Sequence, residues 1–323
     1  MALREEIEVL YRRQMVEWPE VSERYSALPG MKRRTATISP YGRARIKLVC
    51  NPMRSKSTLA DLSREAIKMR PCFLCAKNLP PEQGHVMWTG SSGNSYRIQV
   101  NPYPITQRHF TIVAQEHVPQ LIRGRWGDLH ELARLLPDYA ILYNGSHCGA
   151  SAPDHFHFQA VPKDELPLTQ FYLDEYMNVQ VIVGTSDMLA LYSSNFWCRN
   201  LSITTDNATK IELYCSAFIR HLPRLSDEQE PKFNIVAWTD EPDTDPIVTI
   251  LPRRKHRANN YGPGKGHYLV SPGVIDMAGL ITFVDEAQFR RISYGGAWRL
   301  LLEVSVDNAS FDNAIDKFRK TKL

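Results

Sequence analysis

Apolar and polar residues alternate, or apolar residues run together, in four short segments of the chain, as is typical of strands with a buried face. The segments are YRIQV (96–100), HFTIVAQ (109–115), YAILYN (139–144) and HFHFQAV (155–161). Between the second and the third, WGDLHELARLL (126–136) places apolar residues at helical spacing. This order predicts an α+β fold in which a helix packs on an antiparallel sheet.

The chain before these strands has a different pattern, and we treat residues 1–70 as an N-terminal embellishment. It begins with a charged amphipathic helix, MALREEIEVLYRRQM, and continues with the strand-like YGRARIKLVC. A proline-containing turn, NPMRSKS, and a short helix, LADLSREAIKM, follow. We divide the remaining chain into a first half, residues 71–175, and a second half, residues 176–323, which ends in helices.

The second half repeats the order of the first weakly. KFNIVAW, PIVTILPRRKH and HYLVSPGVIDMAGLITFV align by eye with SYRIQVN, HFTIVAQEHV and the stretch from YAILYN to HFHFQAV. If this is a duplication, each half is a small antiparallel sheet with a helix, and the second half has lost the histidines. The alternative is a chance similarity between two α+β segments, and the sequence leaves both open.

Composition and charge exclude several classes of protein. Apolar residues make up 43% of the chain and charged residues 23%, as in ordinary globular proteins. No signal peptide and no run of about 18 apolar residues occurs, so we expect a cytoplasmic protein without a membrane partner. The six cysteines are then free thiols or metal ligands. The net charge of +4 is too small to indicate a nucleic-acid partner.

Candidate chemistry concentrates in HFHFQ. On a strand, His155, His157 and Gln159 share one face, while Phe156 and Phe158 share the other and anchor the strand in a core. A lone histidine is more often structural, but three polar side chains in phase need partners. The loop before them, NGSHCGASAPD, has the composition of a loop that brings backbone amides close to an anion. Together these features indicate phosphate chemistry at an imidazole.

HFHFQ resembles the His-x-His-x-Gln signature of the transferase branch of the histidine triad superfamily. That branch contains galactose-1-phosphate uridylyltransferase, diadenosine tetraphosphate phosphorylase and the GDP-hexose phosphorylases. RPCFLCAKNLP, NPMRSKS and YNGSHCGASAPDHFHFQ are similar to segments of the uridylyltransferases, and FNIVAW to GLITF is similar to the C-terminal half of the phosphorylases. The resemblance runs from about residue 51 to residue 290 and implies two histidine-triad-like halves, the second degenerate.

The resemblance implies a nucleotidyltransferase in which His157 attacks the α-phosphorus of a nucleotide. A neutral imidazole is a suitable nucleophile near neutral pH, and an acceptor phosphate then takes the nucleotidyl group. Gln159 binds phosphoryl oxygens but cannot act as an acid or base for water, which favours transfer over hydrolysis. Phosphorolysis of a nucleoside diphosphate sugar or a dinucleoside polyphosphate is the first expectation. Hexose-1-phosphate uridylyltransfer and a non-catalytic nucleotide- or zinc-binding module are the alternatives.

Cys72 and Cys75 are spaced to clamp one face of a tetrahedral zinc ion, although Cys-x-x-Cys also occurs in redox sites. The resemblance adds His117 and His155, giving a Cys2His2 set for a structural zinc ion. His147 and Cys148 are alternative ligands or ordinary loop residues. We expect no organic cofactor.

The resemblance also assigns substrate contacts, each with a simpler alternative. It places Arg54 at the substrate phosphates, Asn101 near the nucleoside, and Asn144 and Ser151 at the nucleophile loop, whereas each is also an ordinary turn or loop residue. From GAS to the first histidine, this chain has one residue more than the uridylyltransferases. The charge run at Arg253, Arg254 and Lys255 suits a phosphate of the acceptor or leaving group, or a solvated strand end. Relatives of this branch are often dimers, so a homodimer is expected from resemblance alone.

Overall fold

Ten strands form one continuous antiparallel sheet that carries the candidate site. The computed structural model describes residues 2–37, 45–55, 61, 63–175 and 179–321. Lys56 and Ser57 of the turn NPMRSKS lie outside the described residues. The strands of this sheet are β3 (His85–Thr89), β4 (Ser95–Val100), β5 (Phe110–Ala114), β6 (Tyr139–Asn144), β7 (His157–Pro162), β8 (Gln180–Gly184), β9 (Leu189–Tyr192), β10 (Leu201–Thr204), β11 (Phe233–Trp238) and β12 (Ile247–Pro252).

The sheet consists of two halves with the same topology. Its strand order is β3-β4-β5-β7-β6-β11-β12-β10-β9-β8, so each half has three strands, a helix and two strands whose positions are exchanged. β6 pairs with β11 and joins the halves, with Asn144 opposite Asn234. The expected α+β fold of two antiparallel, helix-packed halves is therefore confirmed.

The register of the expected repeat is wrong. KFNIVAW forms β11, the counterpart of β6, and PIVTILP forms β12, the counterpart of the His157 strand β7. The alignment by eye pairs these segments with β4 and β5, two strands before their true counterparts, because short apolar strands resemble one another. Since β12 contains no histidine, the second half lacks a counterpart of His157, the first residue of β7.

Helices cover both faces of the sheet. One face packs against α1 (Leu3–Glu17), α2 (Pro19–Ala27), α4 (Trp126–Leu135), α6 (Lys210–Ile219) and α10 (Asn308–Arg319). The other face, which carries His157 and Gln159, packs against α5 (Pro167–Glu175), α7 (Val274–Met277), α8 (Glu286–Arg291) and α9 (Tyr294–Val304). α3 is Arg64–Met69, and short 3-10 turns span Leu28–Gly30, Pro52–Arg54, Ala76–Asn78 and Lys163–Glu165.

Local sequence fixes where the C-terminal helices begin. The side chains of Asp285, Ser293 and Asp307 accept hydrogen bonds from backbone N–H groups in the first turns of α8, α9 and α10. Such caps satisfy donors that a helix start otherwise leaves free. None of the helices in the described ranges is long and apolar enough to cross a membrane.

A second sheet joins the N-terminal segment to the C-terminal one. It contains β1 (Arg33–Thr37), β2 (Arg45–Cys50) and β13 (Leu280–Phe283), and β2 pairs in parallel with β13. The segment HYLVSPGVIDMAGLITFV, expected as part of the repeat, instead forms α7 and β13 beside the main sheet. This second sheet brings Arg54 and α7 to the His157 face.

Candidate functional site

The candidate nucleophile opens strand β7. The sequence predicts a strand over HFHFQAV, but β7 begins only at His157. His155 lies in the bend before it. The expected division of faces holds. The rings of Phe156 and Phe158 meet edge to face at 4.8 Å in the core, and Gln159 lies on the opposite face of the strand, in the candidate cleft.

The backbone fixes the tautomer of His157. Its Nδ1 lies 2.9 Å from the carbonyl oxygen of His155, and because a carbonyl only accepts, Nδ1 carries the proton. Burial lowers the pKa of His157 to about 4, so the ring is neutral at pH 7. Nε2 therefore has an available lone pair, and it has no hydrogen-bond partner in the described part of the chain.

Gln120 holds the backbone of His157, and sequence reasoning missed it. Its Oε1 accepts a hydrogen bond from the His157 N–H at 2.8 Å, and its Nε2 donates to the carbonyls of His157 and Asn144 at 2.9 Å each. The paired ladder of β6 and β7 extends only to Leu142 and Gln159, and this fully buried side chain bridges the strands beyond that point. No signal in the sequence marks Gln120 beyond its place in the loop that follows β5.

Gln159 faces the cleft with its amide in contact with His109. His109 Nε2 lies 2.8 Å from Gln159 Oε1, and His109 is fully buried. Thr111, directly opposite Gln159 on β5, accepts a hydrogen bond from Asn101 Nδ2 at 3.0 Å. Sequence reasoning missed His109, although it has the same strand phase as Thr111.

The structure brings together the four expected metal ligands. One donor atom from each of Cys72, Cys75, His117 and His155 lies within 4.8 Å of the others. His155 Nδ1 is 3.3 Å from Cys72 Sγ, and His117 Nδ1 is 3.3 Å from Cys75 Sγ. About 3.5 Å separates sulfur and nitrogen ligands around tetrahedral zinc with bonds of 2.3 and 2.0 Å, so the donor set fits.

The surroundings of the cluster suit a cation. His155 Nε2 donates to the carbonyl of Ala114 at 2.9 Å, which leaves Nδ1 unprotonated and directed at the thiols. Burial raises the pKa of Cys72 to about 11, and a bound cation is what converts such a thiol to thiolate. His147 and Cys148, the alternative ligands, do not join the cluster found among the described residues.

An open cleft, continuous with solvent, lies on the face of the sheet that carries Gln159. It is lined by Arg54, Asn101, Ile105, Asn144, Gly149, Ala150, Ser151, Gln159, His256, Arg257, Ser271, Gly273, Val274, Ile275, Asp276 and Thr282. Sequence prediction anticipated Arg54, Asn101, Asn144, Ser151 and Gln159, and the structure brings these together. The second-half residues in this lining, from His256 to Thr282, were not among the predicted contacts, whereas Arg253, the predicted contact from that half, does not line the cleft.

The glycine-rich loop is locked in place at the cleft. Asn144 Oδ1 accepts hydrogen bonds from the N–H of Val274 at 2.7 Å and from Asn234 at 2.9 Å. Gly149 has φ of +100°, and a Cβ there would lie 2.5 Å from the Cα of Gly273. The first residue of the loop and its centre are thus both fixed against α7.

Arg54 and Asp276 give the cleft opposite charges. The Arg54 guanidinium donates to the carbonyl of Tyr103, and burial lowers its pKa to about 10. Burial raises the pKa of Asp276 to about 6, although the N–H groups of Thr282 and Gly273 donate to its carboxylate. Arg54 therefore remains cationic at pH 7 beside a polar wall.

Arg253 lies behind the cleft rather than in it. Its side chain is 1% exposed and donates to Asn234 Oδ1 at 2.7 Å and to the carbonyls of Pro272, Lys255 and His256. These contacts favour positioning of the loop over direct phosphate binding. Arg254 and Lys255 donate to the carbonyl and carboxylate of Glu303.

The two residues that directly follow this charge run, His256 and Arg257, reach the cleft. Arg257 is held by Ser271 Oγ at 3.0 Å and lies 4.1 Å from the centre of the Tyr261 ring. The predicted phosphate contacts, Arg253 to Lys255, do not line the cleft themselves.

Residues 10–162 match the model of a family described as a domain of unknown function, DUF4922. No curated protein sequence matches the chain. The crystal structure of yeast Ap4A phosphorylase Apa2 is similar with a TM-score of 0.58 and 14% identity, over 89% of this chain and 96% of that one. Its complex with Ap4A gives 0.57 and 14%, over 90% and 97%. The likeness shows that the chain has the two-half, histidine-triad-like fold.

Proposed function

We propose that the protein is a nucleotidyltransferase that works through a nucleotidyl-His157 intermediate. The observation that carries this proposal is the 2.9 Å hydrogen bond between His157 Nδ1 and the His155 carbonyl, which leaves Nε2 as a free nucleophile. Nε2 attacks the α-phosphorus, the phosphorus–oxygen bond to the leaving phosphate breaks, and that oxygen keeps the electron pair. An acceptor phosphate oxygen then attacks phosphorus and returns the electron pair to Nε2.

Phosphorolysis is the reaction we favour, with a dinucleoside polyphosphate or a nucleoside diphosphate sugar as donor. The chain shares its fold over most of its length with a yeast Ap4A phosphorylase. Arg54 and Arg257 line the same cleft as Gln159 and supply positive charge for several phosphates. Hexose-1-phosphate uridylyltransfer uses the same first step, and only the acceptor differs.

Each predicted contact has a role in this scheme. Gln159 and Asn144 offer amide donors to phosphoryl oxygens, and Ser151 lines the same cleft. In the proposed scheme Arg54 neutralises phosphate charge, and Asn101, which lines the same cleft, would contact the nucleoside. We assign residues 1–70 to an embellishment, 71–175 to the catalytic half and 176–323 to the degenerate half, whose His256 and Arg257 line the opposite wall.

Zinc has a structural place in this scheme. Cys72, Cys75, His117 and His155 would hold it, and it would tie their loops to the start of β7. When bound, the ion supplies positive charge that stabilises the thiolates. The His155 carbonyl, rather than its side chain, contacts the nucleophile.

The expected homodimer is tested separately by light scattering.

Intact-protein mass spectrometry tests the proposal. The protein is incubated briefly with Ap4A or with ADP-, GDP- or UDP-sugars and quenched at alkaline pH, because phosphoimidazoles are acid-labile. We expect a gain of one nucleoside monophosphate, absent in His157→Ala and present in His221→Ala, a histidine remote from the cleft. Discharge by inorganic phosphate indicates a phosphorylase, and discharge by hexose 1-phosphate indicates the alternative. A protein that binds nucleotide but forms no adduct with any donor contradicts the proposal.

A further inference from the structure

The orientation of the Gln159 amide is set by a histidine outside the His-x-His-x-Gln segment. His109 Nδ1 lies 3.3 Å from the backbone nitrogen of Ile105, whose N–H can only donate. Nδ1 is therefore the acceptor, and in a neutral ring the proton resides on Nε2. Nε2, at 2.8 Å from Gln159, donates to it, so the atom that it meets must be the amide oxygen.

We infer that His109 is a positioning residue that fixes the Gln159 amide with its NH2 group toward the substrate phosphate. This inference rests on the proposed function. Burial and the charge of Arg54 lower the pKa of His109 to about 3, so the neutral ring that the argument needs is the form present. A rotated amide would place its NH2 group against the Nε2 proton.

Phosphoryl oxygens only accept hydrogen bonds, so one amide orientation attracts the phosphate and the other repels it. With Oε1 held by His109, both protons of Gln159 Nε2 remain for the ligand. With the amide rotated, a carbonyl oxygen would face the phosphate and repel it. Loss of one such donor to a developing anion lowers kcat by about 10²–10³-fold in other enzymes.

The same loop orients a second amide in the cleft. The N–H of Tyr103 donates to Asn101 Oδ1 at 2.8 Å, which directs Asn101 Nδ2 toward Thr111. Two backbone N–H groups, of Tyr103 and Ile105, thus determine which way Asn101 and, through His109, Gln159 face. Tyr25 Oη lies within 3.0 Å of the carbonyls of Asn101 and His109 and holds this loop against α2.

Two substitutions at residue 109 separate the contacts. In His109→Asn the side-chain amide reaches only the place of Nδ1, so it can still accept from Ile105 but cannot donate to Gln159. In His109→Gln the longer amide reaches the place of Nε2 and restores that donor. We expect the rate of His157 nucleotidylation to fall at least 10-fold in His109→Asn and to recover to within about 3-fold of wild type in His109→Gln. Thermal unfolding verifies that both variants are folded.

A Gln159→Leu background supplies the decisive control. If His109 acts through Gln159, His109→Asn slows nucleotidylation no further in that background. Equal rates for wild type and His109→Asn, or losses that multiply in the double variant, overturn the inference while leaving the proposed function intact.

Absence of any adduct in the wild type contradicts the proposed function first, and AMP binding by calorimetry then decides about His109. The inference stands if His109→Asn weakens AMP binding and His109→Gln restores it. It is overturned if both variants bind AMP as the wild type does, or if the wild type binds none.

Discussion

The carbonyl oxygen of His155 accepts a 2.9 Å hydrogen bond from His157 Nδ1, while the His155 ring lies 3.3 Å from Cys72 Sγ. One residue therefore belongs to the metal cluster through its side chain and orients the candidate nucleophile through its backbone. Any displacement of His155 changes the direction of His157 Nε2. In the proposed scheme, the Cys2His2 set and the nucleophile are thereby coupled through this one residue.

The set of Cys72, Cys75, His117 and His155 should bind one zinc ion for each chain and stabilise the start of β7. We expect Cys75→Ser to lose the zinc, to lower the free energy of unfolding by about 2 kcal/mol or more, and to slow nucleotidylation. Elemental analysis, chemical denaturation and adduct formation measure the three effects. Cys50→Ala, which removes a buried thiol outside the cluster, should keep the metal. Zinc retained in Cys75→Ser would contradict the assignment.

Gln120 should matter for the nucleophile beyond its contribution to stability. Gln120→Leu removes three buried hydrogen bonds to the backbone, and we expect a loss of about 3 kcal/mol in unfolding free energy together with slower nucleotidylation. Gln14 is an equally buried control, bonded to Glu82 and Gly84 away from the cleft. Gln14→Leu should destabilise the protein and leave the labelling rate of the folded fraction unchanged. Equal labelling rates for both variants would remove the positioning role of Gln120.

Gly149 should tolerate no side chain. In Gly149→Ala a methyl group would meet the Gly273 backbone, in addition to the strain of φ at +100°. Gly264 has φ of +96° with no atom within 4 Å of the place that a methyl group would take, so Gly264→Ala carries the strain alone. We expect a loss of about 1 kcal/mol for Gly264→Ala and about 3 kcal/mol for Gly149→Ala, measured by denaturation. Nucleotide binding should weaken only in the second variant, and similar losses in both would argue against a locked loop.

Glu230 should make stability depend on pH. Burial raises the pKa of its carboxyl to about 7 in the folded protein, from 4.5 ordinarily. Between these values the folded form keeps a proton that the unfolded form has lost, so stability falls as pH rises from 4.5 to 7 and stays low above. Tyr143 Oη donates to Glu230 Oε1 in the wild type and also lies 3.1 Å from the Gln120 carbonyl. Glu230→Gln imitates the protonated form, because its oxygen can accept from the Ile122 N–H and its NH2 group can donate to Tyr143 Oη once the Tyr143 O–H donates to Gln120. We expect this variant to be about 3 kcal/mol more stable than wild type at pH 8 and nearly equal to it at pH 4.5.

Denaturant unfolding at several pH values measures this difference. Glu23→Gln, at an exposed position of α2, makes the same charge change and should follow the wild-type pH dependence. A constant offset between wild type and Glu230→Gln across the whole pH range would show that Glu230 does not titrate in this window.

Much of the candidate site could be predicted from sequence because its residues lie close together along the chain. His157 and Gln159 share a strand face, and the strand period alone places them together. The spacing of Cys72 and Cys75 allows one face of a zinc site or a redox site, and only the family resemblance adds His117 and His155 as ligands. The structure brings all four expected ligands together.

The missing parts are those that only long-range pairing defines. His109 meets Gln159 only because β5 pairs with β7, and His256 reaches the cleft from a distant part of the chain. Alternation within one strand gives no information about its neighbours, which is also why the repeat was aligned in the wrong register. A basic residue at a strand end likewise carries no sign of burial, so the sequence does not show that Arg253 is 1% exposed.

The pairing of β6 with β11 brings together the glycine-rich loop that follows β6 and the loop with His256 and Arg257 that follows β12. Both loops belong to one polypeptide. Two separate halves that met at this edge would come apart on dilution, whereas the covalent connection keeps their effective concentration constant. The second half, which has no counterpart of His157, is then free to differ from the first. The cleft can therefore be asymmetric, with Gln159 of the first half on one wall and the cationic Arg257 of the second half on the other.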